Sequence, residues 1–217
     1  MNLTEIVRRT QQKLVDLGEH IDVDGVDGIQ TWTAVAKRLG VSLVQTVGGA
    51  DPYSYLDELA GIAESQIGTQ EDSKHTNCGD AILKYQRSTN LEGQGWPWCA
   101  GFVDWCVEQL YAKHPEFSRR FPRPQTALAF GLLDWGKKVG CLVSSGAPNN
   151  LFPKRGDIVV YEFSHCGFVS KILTPVAFEA IEGNTNDAGS RDGYTVARKA
   201  RNCSSVKGFV RIPEAAA

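Results

Sequence analysis

The sequence predicts an α+β fold in which helices pack against an antiparallel β-sheet, preceded by a small all-α module. Helical periodicities occur along the chain up to about residue 138, and short strand-like runs follow from Gly156 onward. Helices followed by consecutive strands, rather than alternating with them, are typical of helices packed on one face of an antiparallel sheet. The 217 residues suffice for one enzyme-sized core and one small module.

Composition and charge restrict the classes of partner. Hydrophobic residues make up 42% of the chain and charged residues 22%, as in ordinary globular proteins. The formal net charge of −2 gives no electrostatic reason to bind nucleic acid or an anionic membrane surface. No apolar run approaches the ~20 residues that span a bilayer. The first residues contain no signal-peptide core, so we expect synthesis in the cytoplasm without a signal peptide. We also expect the protein to be a monomer.

Six cysteines are scattered over the chain: Cys78, Cys99, Cys106, Cys141, Cys166 and Cys203. Without an export signal we expect all of them to be reduced. The alternative is structural zinc, because a His-x-x-Cys pair occurs at His75 and a His-Cys pair at His165. Neither has a paired Cys-x-x-Cys motif elsewhere, so we expect no metal and no cofactor.

The first elements are two short helices. The first carries Ile6, Thr10, Leu14 and Leu17 at helical spacing. Gly18 is expected to cap its C-terminus. An Asp-rich turn at 22–29 separates it from a second helix at about 30–39. The small and flexible residues at 47–52 are the best linker candidate.

Two short motifs occur in this first segment. Residues 14–18 read Leu-x-x-Leu-Gly, and residues 24–35 read Asp-Gly-x-x-Gly-x-x-Thr-x-x-Ala-Val. In this order they resemble the peptidoglycan-binding domain at the start of many cell-wall hydrolases, which implies that residues 1–46 bind peptidoglycan. The alternative is a helical hairpin that only packs on the rest of the chain. A calcium loop is less favoured, because Val26 and Asp27 occupy the fifth and sixth positions of an EF-hand pattern.

The remaining predicted elements lie in residues 53–217. Four helices are expected, at about 56–67, 80–88, 98–112 and 126–138. Five strands are expected, at 157–163, 165–173, 177–182, 194–200 and 206–212.

Cys99 is the thiol best placed for chemistry, because Pro97 breaks the chain just before it and a helix starts at about Trp98. A thiol at a helix N-terminus lies at the positive end of the helix dipole, which favours the thiolate. Cys106 lies two turns further along the same helix face and is interpreted as core. Cys166 points away from the neighbouring histidine if its strand is regular, so we expect it to be packed as well.

His165 is the best candidate for the catalytic base, because it alone is embedded in an apolar strand-like run. The other histidines lie in polar segments or in the small module: His20, His75 and His114. Glu182 and Asn184 share one parity on their strand and are expected to point to one face. Either can accept a hydrogen bond from the imidazole and fix its orientation. We favour Glu182 as the direct contact, with Asn184 as a support.

Three motifs then occur in a familiar order. An aromatic-rich turn leads into Cys99, a Gly-Asp-Ile-Val run at 156–159 precedes His165, and Glu-Gly-Asn follows at 182–184. Order and spacing resemble the CHAP family, the cysteine- and histidine-dependent amidohydrolases and peptidases of phage lysins and bacterial autolysins. The resemblance implies a papain-like arrangement, with the nucleophile helix packed on the sheet that holds the base. One departure is the Cys-Gly pair directly after the histidine.

This resemblance implies a peptidoglycan hydrolase, either an N-acetylmuramoyl-L-alanine amidase or an endopeptidase. Its catalytic residues would be Cys99, His165, Glu182 and Asn184. We expect three further residues to bind substrate: Trp96, Trp98 and Gln94, the last as a candidate oxyanion donor. Such an enzyme acts on the bacterial cell wall after holin-type release, as an endolysin, or after injection, as an antibacterial toxin. The alternatives are a non-catalytic cell-wall-binding protein and an intracellular cysteine protease or transglutaminase-like enzyme.

Overall fold

A computed structural model describes residues 3–25, 31, 34–35, 37–38, 55–145 and 153–213 of the chain. The chain separates into two compact units. The first comprises Met1–Ala50 with Leu173–Val176, and the second comprises Asp51–Ile172 with Ala177–Ala217. The predicted linker at 47–52 lies outside the described residues.

The first unit contains helix α1 (Leu3–Asp16). Further helical residues in this unit are Thr31, Ala34, Val35, Lys37 and Arg38. The buried stripe of α1 is formed by Val7, Gln11 and Leu14, whereas Ile6 and Leu17 are half exposed. The predicted apolar face was therefore wrong by about one residue. Gly18 ends the helix with a positive φ of 89°, as its expected capping role requires.

Gln11 connects α1 to the Asp-Gly motif of the first unit. Its amide nitrogen donates to Asp24 Oδ1 at 2.8 Å and to Thr31 Oγ1 at 2.9 Å. Its amide oxygen accepts from the backbone N–H of Gly25 at 2.8 Å. The Asp-Gly turn is thus held by a buried side chain of α1, so the amide–carboxylate contact stabilises the turn internally.

Five helices are described in the second unit: α2 (Tyr55–Glu64), α3 (Asp80–Arg87), α4 (Cys99–Lys113), α5 (Pro115–Arg120) and α6 (Ala129–Val139). Four of them match the predicted helices to within a few residues at each end. Helix α5 was not predicted, because it has only six residues and begins at a proline. Pro115 occupies the first helical turn, where proline is well tolerated.

A six-stranded antiparallel sheet completes the second unit, in the spatial order β1-β6-β2-β3-β4-β5. The strands are β1 (Leu142–Ser145), β2 (Ile158–Tyr161), β3 (His165–Thr174), β4 (Ala177–Thr185), β5 (Thr195–Asn202) and β6 (Val206–Arg211). The five predicted strands are present, whereas the short edge strand β1 was missed. The predicted α+β class, with helices packed on an antiparallel sheet, is confirmed.

The two faces of the sheet carry different hydrophobic clusters. Ile158 and Phe168 belong to the large cluster shared with the helices, whereas Val159 and Val169 belong to a second cluster on the other face. Helix α4 is buried around most of its circumference. It approaches β4 at Gly183, where an added Cβ would lie only 2.7 Å from Phe102 Cβ. This close packing accounts for the glycine at the centre of the Glu-Gly-Asn motif.

No helix among the described residues is long and apolar enough to cross a membrane.

Candidate active site

Cys99 is the first residue of α4, as the sequence predicts, and its side chain is almost completely buried. The pKa of its thiol lies well below the usual range. The largest cause is the neighbouring thiol of Cys166, and the imidazole of His165 and the backbone N–H of Ala100 lower the pKa further. Burial acts in the opposite direction and raises the pKa. The thiol is therefore held in a setting that favours the thiolate.

Trp98 fixes the start of α4. Its indole N–H donates to Glu71 Oε1 at 2.8 Å, and its ring stacks on Tyr85 with the ring centroids 5.3 Å apart. The second oxygen of Glu71 accepts from the backbone N–H of Asn77 at 2.8 Å. Trp98 has no exposed surface. Its contacts with Glu71 and Tyr85 therefore hold it in place directly before Cys99. Glu71 was missed at the level of sequence, since it lies 27 residues from its partner.

His165 is the first residue of β3 and is fully buried. Its ring stacks with Tyr161 and Phe163, at centroid distances of 6.1 and 6.0 Å. Burial alone would lower the pKa of this imidazole, but the neighbouring Cys99 and Glu182 raise it to about 9. A ring with this pKa is cationic at neutral pH, which is the charge that stabilises a neighbouring thiolate.

Glu182 makes the direct contact to the histidine. Its Oε2 lies 3.2 Å from His165 Nε2, and both side chains are fully buried. Among the described residues neither ring nitrogen of His165 has an aligned hydrogen bond. The contact between His165 and Glu182 is therefore an ion pair without a directed hydrogen bond. Burial raises the pKa of Glu182, but Arg201 and His165 together bring it below its usual value. The expectation that Glu182 contacts the base agrees with this geometry.

Arg201 and Tyr161 complete the environment of the Glu182 carboxylate. The guanidinium donates to its two oxygens at 2.7 and 2.5 Å, and the Tyr161 hydroxyl donates to Oε1 at 2.7 Å. Sequence reasoning missed both residues. The backbone of Arg201 pairs with Phe178, four residues from Glu182 along β4, so no pairing pattern indicates this contact.

Asn184 departs from the regular strand on which its predicted orientation depended. The pairing of β4 with β5 shifts between Glu182 and Thr185, and Asn184 has a positive φ of 57°. The argument from equal parity therefore does not hold at this residue. Asn184 is fully buried, and neither amide atom has a hydrogen-bonding partner within the described residues. A buried amide without a partner is costly, which is typical of a group reserved for function.

Cys166 is packed, as expected, but it packs beside the candidate nucleophile. It belongs to the same hydrophobic cluster as Cys99, and its thiol is near enough to lower the pKa of the Cys99 thiol. Burial and the negative charge on Cys99 raise the pKa of Cys166 well above its usual value. It is therefore a neutral donor, and the departure from the family motif at this position adds a contact to the candidate nucleophile.

The loop before Cys99 holds the other two predicted substrate-binding residues. Gln94 is exposed, and Trp96 is half-buried. The loop is attached to the preceding segment, because Gln86 Nε2 donates to the carbonyls of Asn77 and Trp96, each at 3.0 Å. The indole nitrogen of Trp96 is buried without a described partner. A substrate role for Gln94 and Trp96 stays a prediction.

The other cysteines and histidines of the second unit have settings of their own. All six cysteines are free thiols, and burial raises the pKa of Cys106 well above its usual value. His75 stacks on Tyr194 at 4.2 Å, and His114 Nε2 lies 2.7 Å from Glu58 Oε2. Within the described part of the chain, no three metal-binding side chains form a group suited to hold an ion.

Comparison with protein-family models gives no match, and comparison with curated proteins gives none either. The resemblance to the CHAP family therefore rests on the three sequence motifs alone.

Proposed function

We propose that the chain is a cysteine hydrolase that cleaves an amide bond in the peptide stem of bacterial peptidoglycan. The observation that supports this most is the convergence of Cys99, His165 and Glu182 from α4, β3 and β4. A thiolate at a helix start, an adjacent imidazolium and a buried carboxylate on that ring are the parts that acyl transfer requires.

In the proposed mechanism the thiolate of Cys99 attacks the amide carbonyl and forms a tetrahedral intermediate. Backbone N–H groups in the first turn of α4 have no partner within the helix, so that of Cys99 is placed to stabilise the oxyanion. The imidazolium of His165 then donates its proton to the leaving amine. The neutral ring next removes a proton from water, which attacks the thioester. Collapse of this second intermediate expels the Cys99 thiolate, restores its pairing with the imidazolium and releases a carboxylic acid, which loses its proton to solvent.

Glu182 serves this cycle by stabilising the imidazolium and orienting the ring. It carries the negative charge of an orienting group, as in a triad, but without an aligned hydrogen bond in this state. Catalytic hydrogen bonds are often long or misaligned before substrate binds. Asn184, whose amide is buried without a described partner, is proposed as the supporting polar group of the same site.

Peptidoglycan is proposed as the substrate because of the two motifs in residues 1–46. Gln11 holds the Asp24–Gly25 turn against α1, which supports a defined loop in this unit. A wall-binding unit joined to a hydrolase raises the local concentration of substrate. Release through a holin-type pore or injection into a competitor is proposed as the route to the wall.

Loss of turbidity of purified sacculi tests this function. The wild type is expected to clear the suspension, and Cys99→Ala is expected not to. Cys106→Ala is the matched control, because it removes a buried thiol from the same helix outside the ion pair. If the wild type does not clear the suspension, the proposal that peptidoglycan is the substrate is wrong. Cleavage of casein by the same protein would then favour a general cysteine protease.

A further inference from the structure

Arg201 is the cation that lies against the candidate site from β5. It donates to both oxygens of Glu182 and to the carbonyl of Gly189 at 2.9 Å. Its guanidinium also lies over the rings of Tyr161 and Phe163, at 5.2 and 5.4 Å. Only 15% of its side chain is exposed. The guanidinium is therefore fixed by the carboxylate, a carbonyl and two aromatic faces.

The charges of the buried site balance only when Arg201 is included. The thiolate of Cys99, the imidazolium of His165 and the carboxylate of Glu182 would together leave one negative charge unbalanced in a site from which water is excluded. Such a charge is expensive, and the cheapest correction is to bind a proton. A thiol normally binds a proton much more tightly than a carboxyl group, so the proton would go to Cys99.

We propose that Arg201 is a positioning residue that neutralises Glu182 and thereby allows Cys99 to exist as the thiolate. With Arg201 present, the site contains two negative and two positive groups and is neutral. Arg201 would act on the nucleophile through Glu182 and His165. This inference rests on the proposed function only in taking Cys99 as the nucleophile.

The other titratable groups around the site do not supply this charge. Tyr161 on β2 is a neutral donor, since burial raises the pKa of its hydroxyl well above the usual range. Cys166 on β3 is neutral for the same reason. Asp104 on α4 acts on Cys166 through space, and burial raises the pKa of its carboxyl to about 8. It is therefore protonated at neutral pH.

The pH dependence of Cys99 alkylation tests the proposal in the intact protein. Iodoacetamide modification is followed by tandem mass spectrometry, because Cys99 and Cys106 lie in the same tryptic peptide and only fragmentation assigns the label to Cys99. Arg201→Gln is expected to move the midpoint of the profile up by about one pH unit or more. Below the wild-type midpoint, the alkylation rate should therefore fall by about tenfold.

Three variants distinguish charge balance from simple structural support. Arg201→Lys retains the cation and should recover most of the shift. Arg201→Gln combined with Glu182→Gln removes both charges and should return the midpoint towards the wild-type value. Arg198→Gln is the matched control on the same strand, because that arginine pairs with Glu179 and is 43% exposed. It should leave the profile unchanged.

Two results would overturn the proposal: an unshifted midpoint in a folded Arg201→Gln variant, or a double variant as strongly shifted as the single one. If Arg201→Gln does not unfold cooperatively, the Arg201→Lys and double variants decide the question by the same profile. Alkylation does not require peptidoglycan. A shifted profile in a protein that leaves sacculi intact would therefore retain this inference and reject the proposed substrate.

Discussion

Two buried carboxylate–arginine pairs in the sheet have nearly the same geometry but different neighbours. Glu182 binds Arg201 through both oxygens, and Asp157 binds Arg211 in the same way, with both distances at 2.7 Å. Both carboxylates are fully buried, and the two arginine side chains are 15% and 12% exposed. Yet the pKa of Glu182 is lowered, whereas that of Asp157 is raised.

The difference lies in what else each carboxylate contacts. At Asp157 burial raises the pKa, and Arg211 together with the backbone N–H and the charge of Lys154 does not offset it. At Glu182 the second positive group is the fully buried ring of His165, 3.2 Å away, and the balance is reversed. The Asp157–Arg211 pair therefore fixes the chain at the start of β2, whereas Glu182 of the other pair also interacts with the titratable ring of His165. The four predictions below test whether only the Glu182 pair belongs to a reactive site.

Loss of the nucleophile should have the largest effect. Cys99→Ser is expected to keep the fold and to lower peptidoglycan hydrolysis by about a thousandfold or more, because a hydroxyl is a poor nucleophile at neutral pH. Initial rates on labelled sacculi measure this. Substantial activity in Cys99→Ser, together with its loss in Cys106→Ala, would assign the chemistry to the wrong thiol and remove the Glu182 pair from the site.

Replacing each carboxylate by the corresponding amide compares the two pairs directly. Glu182→Gln should lower the hydrolysis rate by about a hundredfold. Removing its negative charge lowers the pKa of His165 from about 9, so the alkaline limb of the pH–rate profile should move to lower pH. Asp157→Asn should instead reduce the free energy of unfolding by about 3 kcal/mol, because it removes the carboxylate of a buried ion pair that stabilises the start of β2. The pH–rate profile of Asp157→Asn, expressed per folded molecule, should not move. Equal profiles for the two variants would contradict the comparison.

The amide of Asn184 should have a smaller effect that is confined to rate. Asn184→Gly tolerates the positive φ at this position and removes the unpartnered amide. We expect hydrolysis to fall by about tenfold, with the pH profile and the free energy of unfolding nearly unchanged. Denaturant unfolding and pH–rate profiles measure both quantities. A profile that shifts as far as that of Glu182→Gln would make Asn184 the direct partner of His165.

The smallest effect is expected at the anchor of α4. Trp98→Phe removes the 2.8 Å hydrogen bond to Glu71 but keeps an aromatic ring against Tyr85. We expect the free energy of unfolding to fall by about 1–2 kcal/mol and the rate by several-fold, since a buried charged acceptor loses one donor. Chemical denaturation and sacculus assays check this. A rate loss as large as that of Glu182→Gln would give Trp98 a role in catalysis rather than in positioning.

The fold was largely predictable from the chain because periodicity decides it. Apolar residues at helical spacing located α2, α3, α4 and α6, and short apolar runs located the strands from β2 to β6. The exceptions have local causes: α5 begins at a proline, and β1 is a four-residue edge strand with Leu142 exposed. Such elements are determined by tertiary contacts, which a pattern along the chain does not contain.

The candidate catalytic residues could be selected from the sequence in part, because Cys99 and His165 have distinctive local settings. Their supports could not. Arg201, Tyr161 and Glu71 reach the site through long side chains from positions that no spacing rule connects. Asn184 shows a different limit. Its orientation was inferred from a regular strand, and the strand is irregular at that point.

Mass spectrometry of peptidoglycan digested in ¹⁸O-labelled water tests the central claim most directly, namely that Cys99 and His165 hydrolyse a stem-peptide amide. The wild type should release muropeptide fragments with a new amine and a new carboxylate carrying one ¹⁸O atom, since water resolves the thioester. Cys99→Ala should release none. Unchanged muropeptides with the wild type, or the same labelled fragments from Cys99→Ala, would contradict the account.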